Sequence, residues 1–206
     1  EHVGCVRQRR STVPTRSARL AGLYRIVAIH AAPTAAAAGP NDFAIPSRGQ
    51  LMVALTDRNL CWGPGPHADA ARQLLDQNAD AMHRVLAQYD QLVERVARAS
   101  ERAVITHGEP HRGNTIDTAE GVVLIDWDTA LVAPPERDLW ALIDEDPQIA
   151  HDYTERTGVT VNDDALQLFR LWWDLCEIAL FVTEFREPHG DTEDTRVAWA
   201  ALQRFL

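Results

Sequence analysis

Polar and conformationally special residues crowd into one stretch, Thr106 to Asp138, which reads THGEPHRGNTIDTAEGVVLIDWDTALVAPPERD. Its first part, His107-Gly-Glu-Pro-His-Arg-Gly-Asn114, offers two imidazoles, a carboxylate and a carboxamide; Leu124-Ile-Asp126-Trp-Asp128 then closes an apolar run with two more carboxylates. His107 and His111 are four residues apart, and on a helix they would form a zinc-binding pair. Pro110 and the two flanking glycines forbid a regular helix there, so that reading fails. His107-Gly-Glu109 matches half of a zinc deaminase site, but that chemistry also needs a downstream P-C-x-x-C, and Cys176 stands alone. No G-x-S-x-G elbow is present. Phosphoryl transfer asks for different parts: a carboxylate to orient and deprotonate the attacking hydroxyl, and an amide oxygen with a second carboxylate to hold Mg2+ against nucleotide phosphates. Mg2+ prefers a few hard oxygen ligands and keeps several waters, and Asn114 and Asp126 supply two such oxygens.

The spacing supports this chemistry. A kinase catalytic loop sets its base two residues after a His and its metal-binding Asn five residues after that base; His107, Glu109 and Asn114 repeat the interval. Asp126 closes an apolar strand in the position of the D-F-G aspartate. Asp128 and Asp138 read as loop-ordering or structural groups, and Asp138 serves equally well as a cap for the helix that follows. His111 and Arg112 are placed either to approach phosphate or to remain solvated.

These residues must be held by the rest of the chain. Its 206 residues are enough for one domain, and its 46% apolar and 24% charged composition is that of an ordinary globular protein. Twenty basic residues against thirty acidic ones leave a net charge of −10, and every basic residue is Arg. An acidic balance disfavours nucleic acid and favours a cationic small molecule; the absence of Lys excludes Walker, Schiff-base and strand-borne kinase lysines from this chain. No apolar run reaches the length of a membrane span and no leader pattern begins the sequence, so a soluble, cytoplasmic protein is expected. Three cysteines without CxxC spacing read as reduced apolar residues.

Residues 1–14 lack periodicity and read as an irregular terminus. Helical spacing predicts helices over 15–30, 50–60 (with Ser47 as cap), 69–99 with a break near 77–80, 138–144, 149–157, 163–184 and 194–205. Strands are expected over 103–106, 114–118 and 122–126, the last two forming a hairpin with its turn at 119–121. The stripe Leu168, Leu171, Trp172, Leu175, Ile178, Ala179 and Val182 is assigned to the core. No internal repeat is present. The fold class is α+β, mainly helical, with a small β-hairpin beside the chemistry-bearing loop.

The motifs resemble those of the aminoglycoside phosphotransferases and related small-molecule kinases, including the choline-kinase-like group, whose signature runs H-G-D-x-H-x-x-N, a short hairpin, I-D-[FW]-[DE], a Pro-containing loop and an Asp-Leu pair. Here the corresponding residues are His107 to Asn114, Ile125-Asp-Trp-Asp128, Pro134-Pro135 and Asp138-Leu139. The resemblance implies that residues 15–206 form the helical C-terminal lobe of a protein-kinase-like fold. It implies Glu109 as catalytic base in place of the usual Asp, His107 as support for the loop, and Asn114 and Asp126 as Mg2+ ligands, with His111 near the ATP phosphates. The implied activity is ATP- and Mg2+-dependent phosphorylation of a small, cationic, aminoglycoside-like acceptor. By the same resemblance an ATP-covering lobe of about a hundred residues would precede Glu1. The alternative expectation is a truncated, non-catalytic remnant that binds ligand or metal without turnover.

Overall fold

A computed structural model describes residues 16–32, 38–57, 61–98, 102–118 and 121–206. Seven helices and four short strands are found among them: α1 (Arg16–His30), α2 (Arg48–Thr56), α3 (Ala68–Ala97), β1 (Val104–Thr106), β2 (Thr115–Thr118), β3 (Gly121–Leu124), β4 (Leu131–Ala133), α4 (Glu136–Glu145), α5 (Gln148–Thr157), α6 (Asp163–Arg186) and α7 (Glu193–Phe205). The mainly helical α+β class is therefore observed. The expected irregular terminus over 1–14 and the hairpin turn at Ala119-Glu120 lie outside the described residues.

The described residues fall into two compact units. One joins Ala44–Gln91 to Leu171–Leu206. Its buried residues follow helical periods: Ala71, Leu75, Ala79, Met82, Leu86 and Tyr89 on α3, and Leu175, Ile178, Ala179, Val182 and Phe185 on α6. Thr192 begins α7 with a capping box, its hydroxyl accepting from the Thr195 N–H while Thr195 returns a bond to the Thr192 N–H.

The other unit joins the described part of Ser11–Phe43 to Leu92–Arg170 and contains the chemistry-bearing loop. Its core gathers Leu23 and Ile26 of α1, Leu139 and Ile143 of α4, Ile149 and Tyr153 of α5, and Leu166 of α6. Beside this core, β1 pairs antiparallel with β4 through Val104↔Ala133, Ile105↔Val132 and Thr106↔Leu131. The β2–β3 hairpin pairs Thr115↔Leu124, Ile116↔Val123 and Asp117↔Val122.

Four local expectations are corrected. Helix α3 runs unbroken through 77–80, where the Asn78 carboxamide donates back to the Leu74 carbonyl and so satisfies itself within the helix. Ser47 stands at the start of α2 in left-handed backbone (φ 59) and makes no side-chain cap bond. Strand β3 stops at Leu124, because Asp126 also takes left-handed backbone, φ 65, which no strand accommodates. Asp138 lies inside the first turn of α4, whose N-cap is Pro135, and its carboxylate is used elsewhere.

Candidate active site

The loop between β1 and β2 is built around His107, which is fully buried. Its Nε2 lies 2.8 Å from the Ile125 carbonyl, and a carbonyl only accepts, so Nε2 carries the proton. Nδ1 in turn accepts the N–H of Glu109 at 3.3 Å. One neutral imidazole thus ties the residue expected to be the base to the residue preceding Asp126. The Trp127 ring closes over it, with centroids 4.7 Å apart, while the indole N–H donates to the Leu124 carbonyl at 3.0 Å.

Asp138 anchors the turn from the opposite side. Its Oδ2 accepts the His107 N–H at 2.9 Å and its Oδ1 the Gly108 N–H at 2.7 Å. Two N–H groups pinned to one ionised carboxylate give the backbone before Glu109 a fixed direction, since charge-assisted bonds are the strong ones. Gly108 has φ 96, and a Cβ there would stand 2.5 Å from the Arg137 guanidinium, so the position requires Gly twice over. Arg137 is itself held, donating to the Thr106 hydroxyl and the Thr129 carbonyl, each at 2.9 Å. Burial pulls its guanidinium below the ordinary value, opposed by the negative charges of Asp138 and Glu109. Thr129 adds a bond to the His107 carbonyl at 2.8 Å.

Asn114 ends a single 3-10 turn, Arg112–Asn114. Its Nδ2 donates to the Glu109 carbonyl at 3.0 Å, so the carboxamide is oriented by that bond, and no described residue donates to Oδ1. Its own carbonyl accepts the Ile125 N–H at 2.9 Å, which extends the hairpin register by one step and sets Asn114 opposite Ile125. By that register Asn114, Ile116, Val123 and Ile125 share one hairpin face, on which the three apolar side chains are all exposed. Asp126 follows, exposed and in left-handed backbone, a conformation that costs energy and collects at functional sites.

The structure therefore places His107, Glu109 and Asn114 in one hydrogen-bonded turn and joins Asp126 to them through the backbone of Ile125. Among the described residues no group of three or more His, Cys, Asp and Glu is set to hold a metal. The described residues form no all-protein cage, whereas an Asn oxygen and one carboxylate fit the sparse set that Mg2+ takes alongside phosphates and water. His111 is exposed, accepts the Gly113 N–H on Nδ1 at 3.1 Å and has Nε2 3.8 Å from a Glu109 carboxylate oxygen. The side chain of Arg112 lies outside the described residues, and Asp128 is exposed.

Sequence reasoning missed Arg137, Thr106 and Thr129 as braces. Arg137 carries a signal in its place beside Asp138; the two threonines carry none. On α6, Glu177 is buried, and burial pushes the Glu184 carboxyl above the usual carboxylate range.

Residues 15–172 match the family described as phosphotransferase enzyme family. Protein StrN of Streptomyces griseus is 34% identical over 148 residues, covering 69% of this chain and 42% of StrN. The crystal structure of spectinomycin phosphotransferase APH(9)-Ia with ADP and spectinomycin superimposes with a TM-score of 0.70 at 18% identity, over 90% of this chain and 60% of that one. The AMP-bound complex of the same phosphotransferase gives 0.68 at 17% identity, over 90% and 62%. At such identity the solved structures establish the fold. The chain spans less than two-thirds of the length of each of these proteins. No described helix is long and apolar enough to cross a membrane.

Proposed function

This chain belongs to the phosphotransferase enzyme family, and from that premise we propose that the protein transfers the terminal phosphoryl group of ATP to a hydroxyl of a small cationic acceptor, with Mg2+ as cofactor. The observation that carries the reading is the orientation of Asn114: with Nδ2 bound to the Glu109 carbonyl, the carboxamide offers its oxygen, one register step from the strand end that leads into Asp126. Bound there by Asn114 and Asp126, Mg2+ would neutralise phosphate charge and align the terminal phosphoryl group. Glu109 takes the proton of the attacking hydroxyl on a carboxylate oxygen as the new O–P bond forms and ADP departs. His107 holds the Glu109 backbone, and Asp138 holds the turn, so the base needs little rearrangement when the acceptor arrives. His111, beside the Glu109 carboxylate, would stand near the phosphates.

The exposed face of Ile116, Val123 and Ile125 offers apolar surface beside Asn114 that a purine base would cover. A net charge of −10 favours a polyamine acceptor such as an aminoglycoside or aminocyclitol, whose phosphorylation would blunt an antibiotic. A need for ATP would be met in the cytoplasm.

The test is transfer from γ-labelled ATP, with Mg2+, to a panel of aminoglycosides and aminocyclitols, comparing wild type with Glu109→Gln. Loss of general-base catalysis predicts a fall in kcat of about 100- to 10,000-fold. Equal turnover in the two proteins removes Glu109 as base.

A further inference from the structure

The geometry points to a second tier of control over the catalytic turn: we infer that His30 and Tyr153 are positioning residues that act through Asp138. The side chains come from three helices, with His30 at the end of α1, Asp138 on α4 and Tyr153 on α5. All three are enclosed, at 8%, 1% and 1% exposure. His30 Nε2 is 3.2 Å from Asp138 Oδ2, and His30 Nδ1 is 2.9 Å from the Tyr153 hydroxyl.

Donor and acceptor inventory sets the direction of this chain. An ionised carboxylate only accepts, so the proton between His30 and Asp138 sits on Nε2. In a neutral imidazole Nδ1 must then accept, and the phenol in place to donate is that of Tyr153. Burial pushes the Tyr153 phenol up to about 12, which keeps its proton available. With His30 neutral the relay runs from Tyr153 to His30 to Asp138, whose two oxygens accept the N–H groups of His107 and Gly108. Rotation of the Asp138 carboxylate would release both N–H bonds at once, and the His30 donor opposes that rotation.

Packing alone does not account for the triad. Tyr153 belongs to the apolar core of Leu23, Ile26, Leu139, Ile143 and Ile149, and His30 and Asp138 are buried as well; polar groups so enclosed are commonly less stabilising than apolar ones of equal volume. What the triad adds is a fixed carboxylate that holds the two residues before Glu109.

The test is amide hydrogen exchange by NMR on the 15N-labelled chain, comparing wild type, His30→Leu, His30→Gln and Tyr153→Phe. His30→Leu removes the donor to Asp138, whereas His30→Gln keeps an N–H that reaches it. Losing a charge-assisted bond predicts exchange at His107 and Gly108 at least about tenfold faster in His30→Leu, relative to the buried α6 amides of Leu168 and Phe169. Tyr153→Phe should give a smaller rise at the same two amides, and His30→Gln should stay near wild type. Unchanged exchange at His107 and Gly108, a rise shared equally by Leu168 and Phe169, or identical behaviour of the Leu and Gln variants would overturn the relay. If His30→Leu does not fold, the selective rise in Tyr153→Phe decides. The link to phosphoryl transfer rests on the proposed function, where kcat should fall in the same order with KM for ATP unchanged. Selective exchange at the two amides in a protein that transfers no phosphate would uphold the relay and sink that function.

Discussion

His107 and Ile125 are joined by a 2.8 Å bond from the imidazole Nε2–H to the main-chain carbonyl, across a gap of eighteen residues in sequence. The same ring receives the Glu109 N–H, so removing it orphans two backbone groups in a water-poor place. His107→Leu should therefore destabilise the protein by about 2 kcal/mol or more. Urea unfolding at equilibrium measures it; a loss under about 0.5 kcal/mol, the size of a surface change, would show the ring to be replaceable filler.

Gly108 meets two constraints, a φ of 96 and the guanidinium of Arg137 pressed against the space where a Cβ would go. Arg137 cannot simply swing away, because it is bonded to Thr106 and Thr129 and nearly fully buried. Gly108→Ala is expected to cost about 1–3 kcal/mol from the backbone alone, and more from the clash. In the double variant with Arg137→Ala the clash term vanishes, so the loss should fall short of the sum by about 1 kcal/mol. Strict additivity in thermal or chemical unfolding would show that the two groups do not collide.

Tyr153 gives a signature in alkaline solution. Its folded-state pKa of about 12 lies above the ordinary value of 10.0, so between those values the unfolded chain gives up the proton first. Rising pH then favours unfolding: the contribution is complete below about 10 and is lost as pH climbs through about 12. Tyr153→Phe should flatten this part of the urea midpoint against pH. Parallel curves for the two proteins would mean that the phenol titrates as it does in water.

The helices and the turn that gathers His107, Glu109 and Asn114 are readable in the sequence for the same reason: both are written in short intervals. Apolar residues at helical spacing located α1, α3, α5 and α6, and His107, Glu109 and Asn114 announced themselves by their separations. What escaped was whatever depends on partners far along the chain. β4 is three residues long and exists by pairing with β1, so its own pattern says nothing. Asp138 looked like a helix cap because its neighbours are local, yet its carboxylate reaches back thirty residues to Gly108. His30 is the last residue of α1, and nothing in the helical spacing of that segment discloses Asp138 or Tyr153 at its end. Asp126 was drawn into a strand by the apolar residues before it; its left-handed backbone is the departure that turns the side chain out of the β3 pattern.

The proposed function requires Asn114 and Asp126 to share one divalent cation beside Glu109. Substoichiometric Mn2+ added with ATP to the 15N-labelled protein probes it directly, since the paramagnetic ion broadens amide signals steeply with proximity. The amides of Asn114 and Asp126 should broaden first, Glu109 next, and Asn114→Ala should weaken the effect at Asp126. Broadening centred on another acidic cluster, or unaltered at Asp126 in Asn114→Ala, would contradict the assignment.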